Sequence, residues 1–469
     1  MSGITGLLNI AKSAILAQQA GMNVVSHNIA NANTEGYSRQ EISFSGRPGL
    51  QNIENIIGQG VDAGRVRQRQ AEFADRRIRS EMGLLGHSET SRRILEQIET
   101  LFAGVGESDL NAVMNKFFNS WEDLSSNPES MEFRAQVIQK ARTLVDKFHS
   151  MASGMNEVRK NINFEIGSSV KDVNRILSQI YDLNETIEYA ESNGNTANDL
   201  RDSRNLLLKE LSKKMDVDVQ ETSAGAVQVS YDGIILLDRR SLTELDATTV
   251  SDGTQSSTKI IASGHELTVT GGEIGGLLQV RDSYLTGYTN TIDDIASSLV
   301  DNVNSHHSLG FDLNGDTDIN FFNPNVTNAD SIEINLDILN DASKIATAEG
   351  AHDWVNNVHT SNGPGDNTIA RRIANLRDIK VLQDRSTTFS DYYNSLYADV
   401  GFDTVDSQQN EENHQLLVDQ LENYRDSTVG VSVDEEMADM MKFQHSYTAA
   451  ARLVSVANEM MTTLINLVG

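Results

Sequence analysis

The chain has 469 residues, of which 38% are hydrophobic, and this length allows roughly two to four domains with a sizeable core. Its 38 Lys and Arg residues face 67 Asp and Glu residues, and the formal net charge of −29 opposes binding to nucleic acid or to an anionic membrane. There is no cysteine, which excludes disulfides, thiolate metal ligands and cysteine nucleophiles. No stretch approaches the ~20 apolar residues of a membrane span, and we expect no cleaved secretory signal at the start of the chain. We therefore expect protein partners.

The N-terminal segment carries apolar residues at alternating steps of four and three, the spacing that holds one seam of a helix against a partner helix. Gln18 interrupts this seam, whose apolar members are Ile4, Leu8, Ala11, Ile15, Met22, Val25 and Ile29. The Asn-rich run that follows, with Gly36 available for a positive φ, predicts that the helix ends near Ile29.

An extended connection is predicted from about residue 31 to residue 66, before a dense arginine cluster. The cluster consists of Arg65, Arg67, Arg69, Arg76, Arg77 and Arg79. We expect it to open a helical region and to form a solvated, ion-paired face, because Glu72, Asp75 and Glu81 lie within helical reach.

The tripeptide Asn127-Pro128-Glu129 predicts a helix start, with Asn127 as the cap and Pro128 in the first turn. The helix should be long, because a second seam follows the same steps through Ile162, Ile166, Ser169, Val173, Ile176, Ile180, Leu183, Ile187 and Ala190. We expect Gly194 to end it and Asn198 to cap a further helix.

Short alternating segments punctuated by Gly and Asp predict a small β domain at residues 216–276, inserted between helices. Helical patterning resumes over residues 277–303 and 369–424, around an irregular stretch at 306–368.

The segment Asp312–Asp318 resembles the first half of a calcium loop, but Thr317 stands where the loop needs Gly and Asn323 where it needs Glu. A turn is the favoured interpretation. His306-His307 matches no zinc-ligand spacing, and neither a nucleophile elbow nor a phosphate-binding loop is present. We predict no catalytic residue, no metal site and no cofactor, while a secreted metal-dependent protein using Asp312, Asp316 and the His pair stays as an alternative.

The C-terminal segment repeats the first seam to the penultimate residue. Its members are Met440, Phe443, Tyr447, Ala450, Val454, Ala457, Met461, Leu464 and Val468. The methionines here have two open interpretations, ordinary core filling or an adaptable surface that meets different partners.

These patterns predict a mainly α fold with a small inserted β domain, an elongated multidomain helical bundle whose N- and C-terminal helices pair as a coiled coil. The expected division is residues 1–35 with 430–469 for assembly, 36–215 with 277–429 for the bundle, and 216–276 for the β domain. We also expect both ends to be largely disordered in a free subunit and to fold together on assembly.

The run NIANANTEGYSRQ, preceded by LAQQAGMNVVSHN, resembles the N-terminal signature of bacterial flagellar axial proteins: rod, hook and hook-associated. The signature residues are Asn28, Asn31, Asn33, Gly36, Tyr37, Ser38 and Arg39. Internal segments such as FFNSWEDLSSNPES and the C-terminal GVSVDEEMADMMKFQHSYTAAARLVSVANEMM resemble the hook-associated members. Glu35, where the family commonly has Pro, and the stretch 199–205 depart from the pattern.

The resemblance implies an extracellular structural protein that joins the flagellar hook to the filament as a short tubular zone, not an enzyme. Implied partners are further copies of the chain, the hook protein and a second junction protein. Export through the flagellar type III apparatus is implied too, with a cytoplasmic FlgN-type chaperone on the C-terminal helix. Candidate chaperone contacts are Met437, Met440, Met441, Val454, Met460 and Met461. A hook or rod subunit is the alternative within the family.

Overall fold

A computed structural model describes residues 2–468 apart from 49–57, 103–108, 193–195, 223–224, 252–255, 326–327, 354–357 and 384. The helices are α1 (Ser2–Ala30), α2 (Glu72–Phe102), α3 (Leu110–Ser126), α4 (Met131–Ser192), α5 (Asn198–Lys214), α6 (Gly272–Gln279), α7 (Leu285–His307), α8 (Leu336–Asn340), α9 (Thr368–Asn375), α10 (Phe389–Val429) and α11 (Val433–Val468). A π-helical segment, Val280–Tyr284, joins α6 to α7, and a 3-10 turn covers Ala342–Lys344.

The strands form small antiparallel sheets. They are β1 (Gln40–Gly46), β2 (Val61–Gln68), β3 (Asp218–Glu221), β4 (Val227–Tyr231), β5 (Ile234–Leu237), β6 (Leu245–Ser251), β7 (Ser256–Ala262), β8 (His265–Leu267), β9 (Gly350–Asp353) and β10 (Val358–Ser361). The sheet orders are β1-β2, β3-β4-β5, β6-β7-β8 and β10-β9. The predicted fold class, mainly α with a small β insertion, is confirmed.

Helix α4 is the spine of the central body. It runs without interruption for 62 residues, about 93 Å at the rise of an α-helix. The second apolar seam lies on it, and its buried side includes Ile162, Ile166, Val173, Ile176 and Ile180. Helices α3, α5 and α7 pack along it, and the aromatic centre of the core, with Phe117, Trp121 and Phe321 fully buried, lies where α3 meets the irregular stretch before α8.

Asparagine side chains of α4 attach the β insertion to this spine. Asn174 donates from Nδ2 to the carbonyl of Leu245 at 2.8 Å and accepts from the same residue's amide at 2.8 Å. Asn184 makes the equivalent pair with Val227 at 2.9 and 3.1 Å. Each amide therefore takes the place of a neighbouring strand and satisfies the backbone of β4 or β6. The sequence patterns did not reveal this attachment.

The terminal helices pair as predicted, α1 lengthwise on α11. The hairpin β1–β2 lies beside α1, in register from Gln40↔Gln68 to Gly46↔Val61. The amide of Val61 donates to Ser13 Oγ at 3.2 Å, which fixes the hairpin to the middle of the helix. Thus the predicted connection from residue 31 to residue 66 contains two paired strands.

Two predicted caps are wrong. Asn127 is the C-cap of α3, its amide donating to the Leu124 carbonyl, and α4 begins only at Met131. The reason is the buried Arg134, whose guanidinium donates to the Pro128 carbonyl at 2.7 and 3.0 Å and holds 127–130 as a turn. Asn198 is inside α5, whose N-cap is Ala197.

Other boundaries differ as well. Arg65 and Arg67 belong to β2. The helix that we expected the arginine cluster to open therefore begins only at Glu72, within the cluster. The predicted helical stretch 369–424 is two helices, α9 and α10, because residues 376–388 form turns and a β-bridge. Gly194 lies outside the described residues.

Candidate assembly site

The seam between α1 and α11 is closed by small residues. Ala11 and Val25 of α1 and Ala450 and Ala457 of α11 are buried. The larger members, among them Ile15, Met22, Phe443 and Val454, are only partly buried, and Tyr447 and Leu464 are exposed. The side chain of Val468 is outside the described part. The structure thus brings the two sequence seams together, but one pair of helices covers them incompletely.

Gly21 makes room for the ring of Phe443 in the seam. A Cβ placed on Gly21 would lie 3.0 Å from the ring of Phe443, and Phe44 of β1 closes the other side of that ring with centroids 5.9 Å apart. The three residues fix the register of α11 against α1.

Asn28, at the end of α1, is the hub of a polar cluster. Its Nδ2 donates to the Gln40 carbonyl and to Glu436 Oε2, both at 3.0 Å. Its Oδ1 accepts from the Tyr37 hydroxyl at 2.8 Å and from the Gln40 amide at 3.0 Å. The buried side chain therefore has both donors and both acceptor positions occupied.

Arg39 joins the signature segment to the start of α11. Its Nε donates to Glu436 Oε1 at 2.6 Å, and a terminal nitrogen lies 3.3 Å from Glu435. The side chain of Glu436 is only 2% exposed, so this ion pair is little screened by solvent. The Arg39 amide also donates to the Val429 carbonyl at 2.8 Å, at the end of α10.

The same segment is bonded to the central body. The amide and hydroxyl of Ser38 both donate to Asp202 of α5 at 2.9 Å. Burial raises the pKa of Asp202 to about 6, although these hydrogen bonds and the charge of Arg425 favour its ionised form. Arg425 of α10 donates to Asp75 of α2 at 2.9 Å and to Ser38 Oγ at 3.2 Å.

Gly36 allows the segment to turn against the body. Its φ is +75°, and a Cβ there would lie 2.7 Å from the side chain of Leu206. A side chain would be strained by the backbone and by this contact. We call the whole arrangement the polar clamp and define it as Asn28, residues 36–40, Asp202, Arg425 and Glu436.

The signature residues thus divide in two. Asn28, Gly36, Tyr37, Ser38 and Arg39 belong to the clamp, whereas Asn33 is exposed and Asn31 bonds only locally, its Nδ2 donating to the His27 carbonyl. Sequence reasoning missed Asp202, Arg425 and Glu436. Of these, Glu436 stood in the C-terminal segment that resembles the axial family, and Asp202 in the stretch 199–205 that departs from the family's pattern.

The arginine cluster is not the ion-paired face that we expected. Arg69 pairs with Glu41 and Arg77 with Glu81, but Asp75 pairs with Arg425. Among the described residues, no carboxylate lies within ion-pair distance of Arg65, Arg67, Arg76 or Arg79.

The candidate metal residues serve the fold. Asp312 Oδ1 accepts from the amides of Asn314 and Asp316 at 2.7 and 2.8 Å, as in an Asx turn. His307 is buried between the Ile319 carbonyl and the Ala346 amide. In the described part of the chain, no three His, Asp or Glu side chains are arranged to hold a metal ion, and no helix could span a membrane.

Comparison with known proteins agrees with this arrangement. The family described as flagellar hook-associated protein FlgK helical domain matches residues 95–322. The families flagellar basal body rod FlgEFG protein C-terminal and flagella basal body rod protein match residues 425–467 and 8–37. The last two matches fall on the paired terminal helices.

Full-length relatives give the same result. Flagellar hook-associated protein 1 of Bacillus subtilis is 28% identical, over 98% of each chain. That of Salmonella typhimurium is 25% identical, over 99% of this chain and 100% of the relative. The fold resembles that of the flagellar hook junction protein FlgK from Burkholderia pseudomallei, with a TM-score of 0.67 at 15% identity, covering 76% of this chain and 100% of that one.

The chain is therefore an axial structural protein of the bacterial flagellum, and not an enzyme. Within that class it is similar over almost its whole length to flagellar hook-associated protein 1, and its central part matches the FlgK helical domain.

Proposed function

We propose that copies of this chain polymerise on the tip of the hook into a short tubular layer on which the filament grows, with the α1–α11 pair as the assembly element. The hook protein would lie below this layer and a second junction protein above it. The proposed division is the predicted one: residues 1–35 with 430–469 for assembly, and the helical bundle and β domain as the outer body. The observation that carries the proposal is the half-covered seam held to the body by the polar clamp.

The uncovered part of α11 supports assembly with further copies. Leu453, Val456 and Met460 are exposed and lie beside the seam at steps of three and four, so they form a second apolar stripe on one flank. A helix pair with such a stripe in water gains too little from burial to order firmly by itself. Neighbouring copies would cover the stripe, so the ends fold where a template already exists.

The clamp would couple the folding of the terminal helices to the position of the body. Glu436 of α11 and Asp202 of α5 are both bonded to residues 38–40 or to Asn28, so ordering the seam also fixes the signature segment on the body. Each copy that joins the layer would present its body at a defined angle to the next.

Export requires that the seam be kept from assembling early. Met437, Met441 and Met460 are about half exposed, while Met440, Val454 and Met461 are turned partly into the seam. A FlgN-type chaperone that holds all six side chains would therefore displace α1 from α11. The bound subunit could not polymerise before it leaves through the type III apparatus.

The decisive test is a charge in the seam. Ala457 is fully buried, so Ala457→Asp should abolish filament attachment while the body melts normally, because the carboxylate would lose its hydration inside the seam. Val454→Asp should act in the same direction. The matched control is Ser455→Asp, on the exposed side of the same turn.

The measurements are filament counts by electron microscopy, filament protein released into the medium, and circular dichroism of the purified variants. Normal filament attachment by Ala457→Asp would contradict the proposal. Deleting the gene separates the alternatives, since loss of a rod or hook subunit removes the hook itself, whereas loss of a junction protein leaves hooks and releases filament monomers.

A further inference from the structure

The chain carries a basic surface that its own carboxylates do not neutralise. Arg65 and Arg67 are exposed on one side of β2, and Arg76 and Arg79 follow in the first turns of α2. Glu41 faces Arg67 across the hairpin but pairs with Arg69 instead. Arg79 is largely buried and lies near Asp75, whereas Arg65, Arg67 and Arg76 are exposed and have no described carboxylate within ion-pair distance. In a chain of net charge −29, three such arginines close together in sequence are unusual.

An exposed aromatic residue accompanies these arginines. Phe73, 65% exposed, precedes Arg76 by three residues and so lies on the same side of α2. We call Arg65, Arg67, Phe73 and Arg76 the basic patch. It measures roughly 20–25 Å along the strand and the helix.

The outer face of α10 has the complementary composition. Phe402, Val405 and Leu416 are 71%, 65% and 57% exposed and point away from the buried side of the helix, which holds Leu396, Val400 and Val418. These exposed residues form an apolar strip that no described element covers.

Carboxylates flank that strip. Asp399, Asp406, Glu412 and Asp419 are all exposed, and no described cation pairs with them. Their described side-chain partners are amide groups one turn away, such as Asn410 for Asp406 and Gln408 for Glu412. We call these carboxylates and the apolar strip the acidic face. It extends about 30 Å along the helix.

We propose that the basic patch of one copy docks on the acidic face of α10 in the next copy. The inference rests on the proposed function, since it names a lateral contact within the tubular layer. Three exposed arginines would meet the carboxylates of the acidic face, and Phe73 would meet Phe402 and its apolar neighbours. Opposite charges around an apolar centre give such a contact its register and its discrimination against other surfaces.

The two surfaces belong to different parts of the molecule, so the contact is head-to-tail. A contact of this kind leaves one free patch and one free face on every growing chain of copies, and it repeats until a ring closes or a helix continues. That geometry is what a tubular layer requires.

The absence of cysteine from the chain makes a direct test possible. Nine double variants combine Arg65→Cys, Arg67→Cys or Arg76→Cys with Asp399→Cys, Asp406→Cys or Glu412→Cys. Intact flagella are isolated, oxidised and run on a denaturing gel without reductant. We expect a ladder of dimers, trimers and higher multimers for at least one pair, because each copy is then joined to two neighbours.

Two controls make the result decisive. Val250→Cys with Ser257→Cys joins register partners of the β6–β7 hairpin within one copy, away from the assembly element, and shows that oxidation works. Arg142→Cys with Asp406→Cys replaces the patch by an exposed arginine on α4 and should give no ladder. Single-cysteine variants should stay monomeric; a dimer from one of them would indicate a two-fold contact and overturn the proposal.

The outcome also separates this inference from the function on which it rests. If the chain is found in the flagella and the hairpin control oxidises, but none of the nine pairs gives multimers, the lateral contact is wrong and the junction role stands. If the chain is absent from the flagella of otherwise normal cells, the junction role itself fails.

Charge reversal gives a second, independent measurement. Changing Arg65, Arg67 and Arg76 to Glu, or Asp399, Asp406 and Glu412 to Lys, should lower filament attachment more than about tenfold, since like charges across an interface cost several kcal/mol. Combining both sets in one chain should restore attachment. A combined variant no better than either set alone would contradict the docking.

Discussion

The central body and the terminal pair are both built from long helices, but they differ in how completely their apolar side chains are buried. In the body, Phe117, Trp121 and Phe321 are completely buried against one another within a single chain. Along α11, Ala450 and Ala457 are the buried apolar side chains among those described. The body thus carries a complete core, whereas the terminal pair has part of one and is held to the body by the polar clamp.

The largest effect should come from the core of the body. Phe117→Ala removes a ring that lies 5.4–6.4 Å from those of Phe118, Trp121, Phe321 and Phe322. We expect the free energy of unfolding of the body to fall by about 3–5 kcal/mol, through lost burial and the cavity left behind. Urea unfolding followed by tryptophan fluorescence measures this. Phe164→Ala, at a site 80% exposed, should change it by less than about 0.5 kcal/mol.

Acid should weaken the body through one buried histidine. Burial lowers the pKa of His307 to about 4, from an ordinary value of 6.5. Its Nε2 accepts from the Ala346 amide at 2.9 Å, which fits only an unprotonated nitrogen. The unfolded chain therefore binds more protons than the folded chain as the pH falls from about 6.5 to 4.

The contribution of His307 to stability is full above pH 6.5 and is lost across that interval, by at most about 3 kcal/mol. Urea titrations at half-unit pH steps give the slope, which should be smaller in His307→Gln. An equal slope in that variant would assign the acid sensitivity to other groups.

Replacing Asn28 in the clamp should destabilise the paired terminal helices and leave the stability of the body unchanged. Asn28→Ala leaves the Gln40 amide without its acceptor and Glu436 Oε2 without the Asn28 donor, at a cost of about 1–3 kcal/mol. Hydrogen exchange should become faster along α1, β1 and α11 and stay unchanged in α4. Asn31→Ala, at a neighbouring position outside the clamp, is the control. Uniform acceleration through α4 would show that the two regions are one cooperative unit.

The smallest effect concerns register. Gly21→Ala should weaken pairing of α1 with α11 by about 1 kcal/mol through contact with the Phe443 ring, and the loss should vanish when Phe443 is also changed to Ala. Gly6→Ala, where a Cβ would meet nothing within 4 Å, isolates the gain in helix propensity. Equal effects of Gly21→Ala with and without the Phe443 ring would remove its role in setting register.

The sequence predicted correctly those features that depend on neighbouring residues of the chain. The steps of four and three along α1, α4 and α11 are a property of each helix alone, so the pairing of the ends could be predicted from spacing. The β insertion was recognisable from alternation for the same reason, whereas β1, β2, β9 and β10 lie in stretches for which a connection or irregular structure was predicted.

The predictions failed where a feature depends on a contact between residues that are distant in the sequence. Asn28 and Glu436 are separated by 408 positions, and nothing near either residue names its partner. The cap at Asn127 was wrong because Arg134 takes the Pro128 carbonyl. The arginine cluster was misjudged because Asp75, a neighbour in sequence, pairs with Arg425 of a distant helix.

The unbroken length of α4 has a mechanical consequence. Over about 93 Å the body has a continuous helix. Its links to the terminal region are short, namely residues 31–39, 69–71 and 430–432 and the polar contacts of Asp199 with His27 and Gln40. Torque or bending applied between the two parts should therefore act mainly on these short links, where the bonds are polar and short-ranged. A polar contact costs less to break than a packed core does, so we expect the subunit to bend there before α4 does.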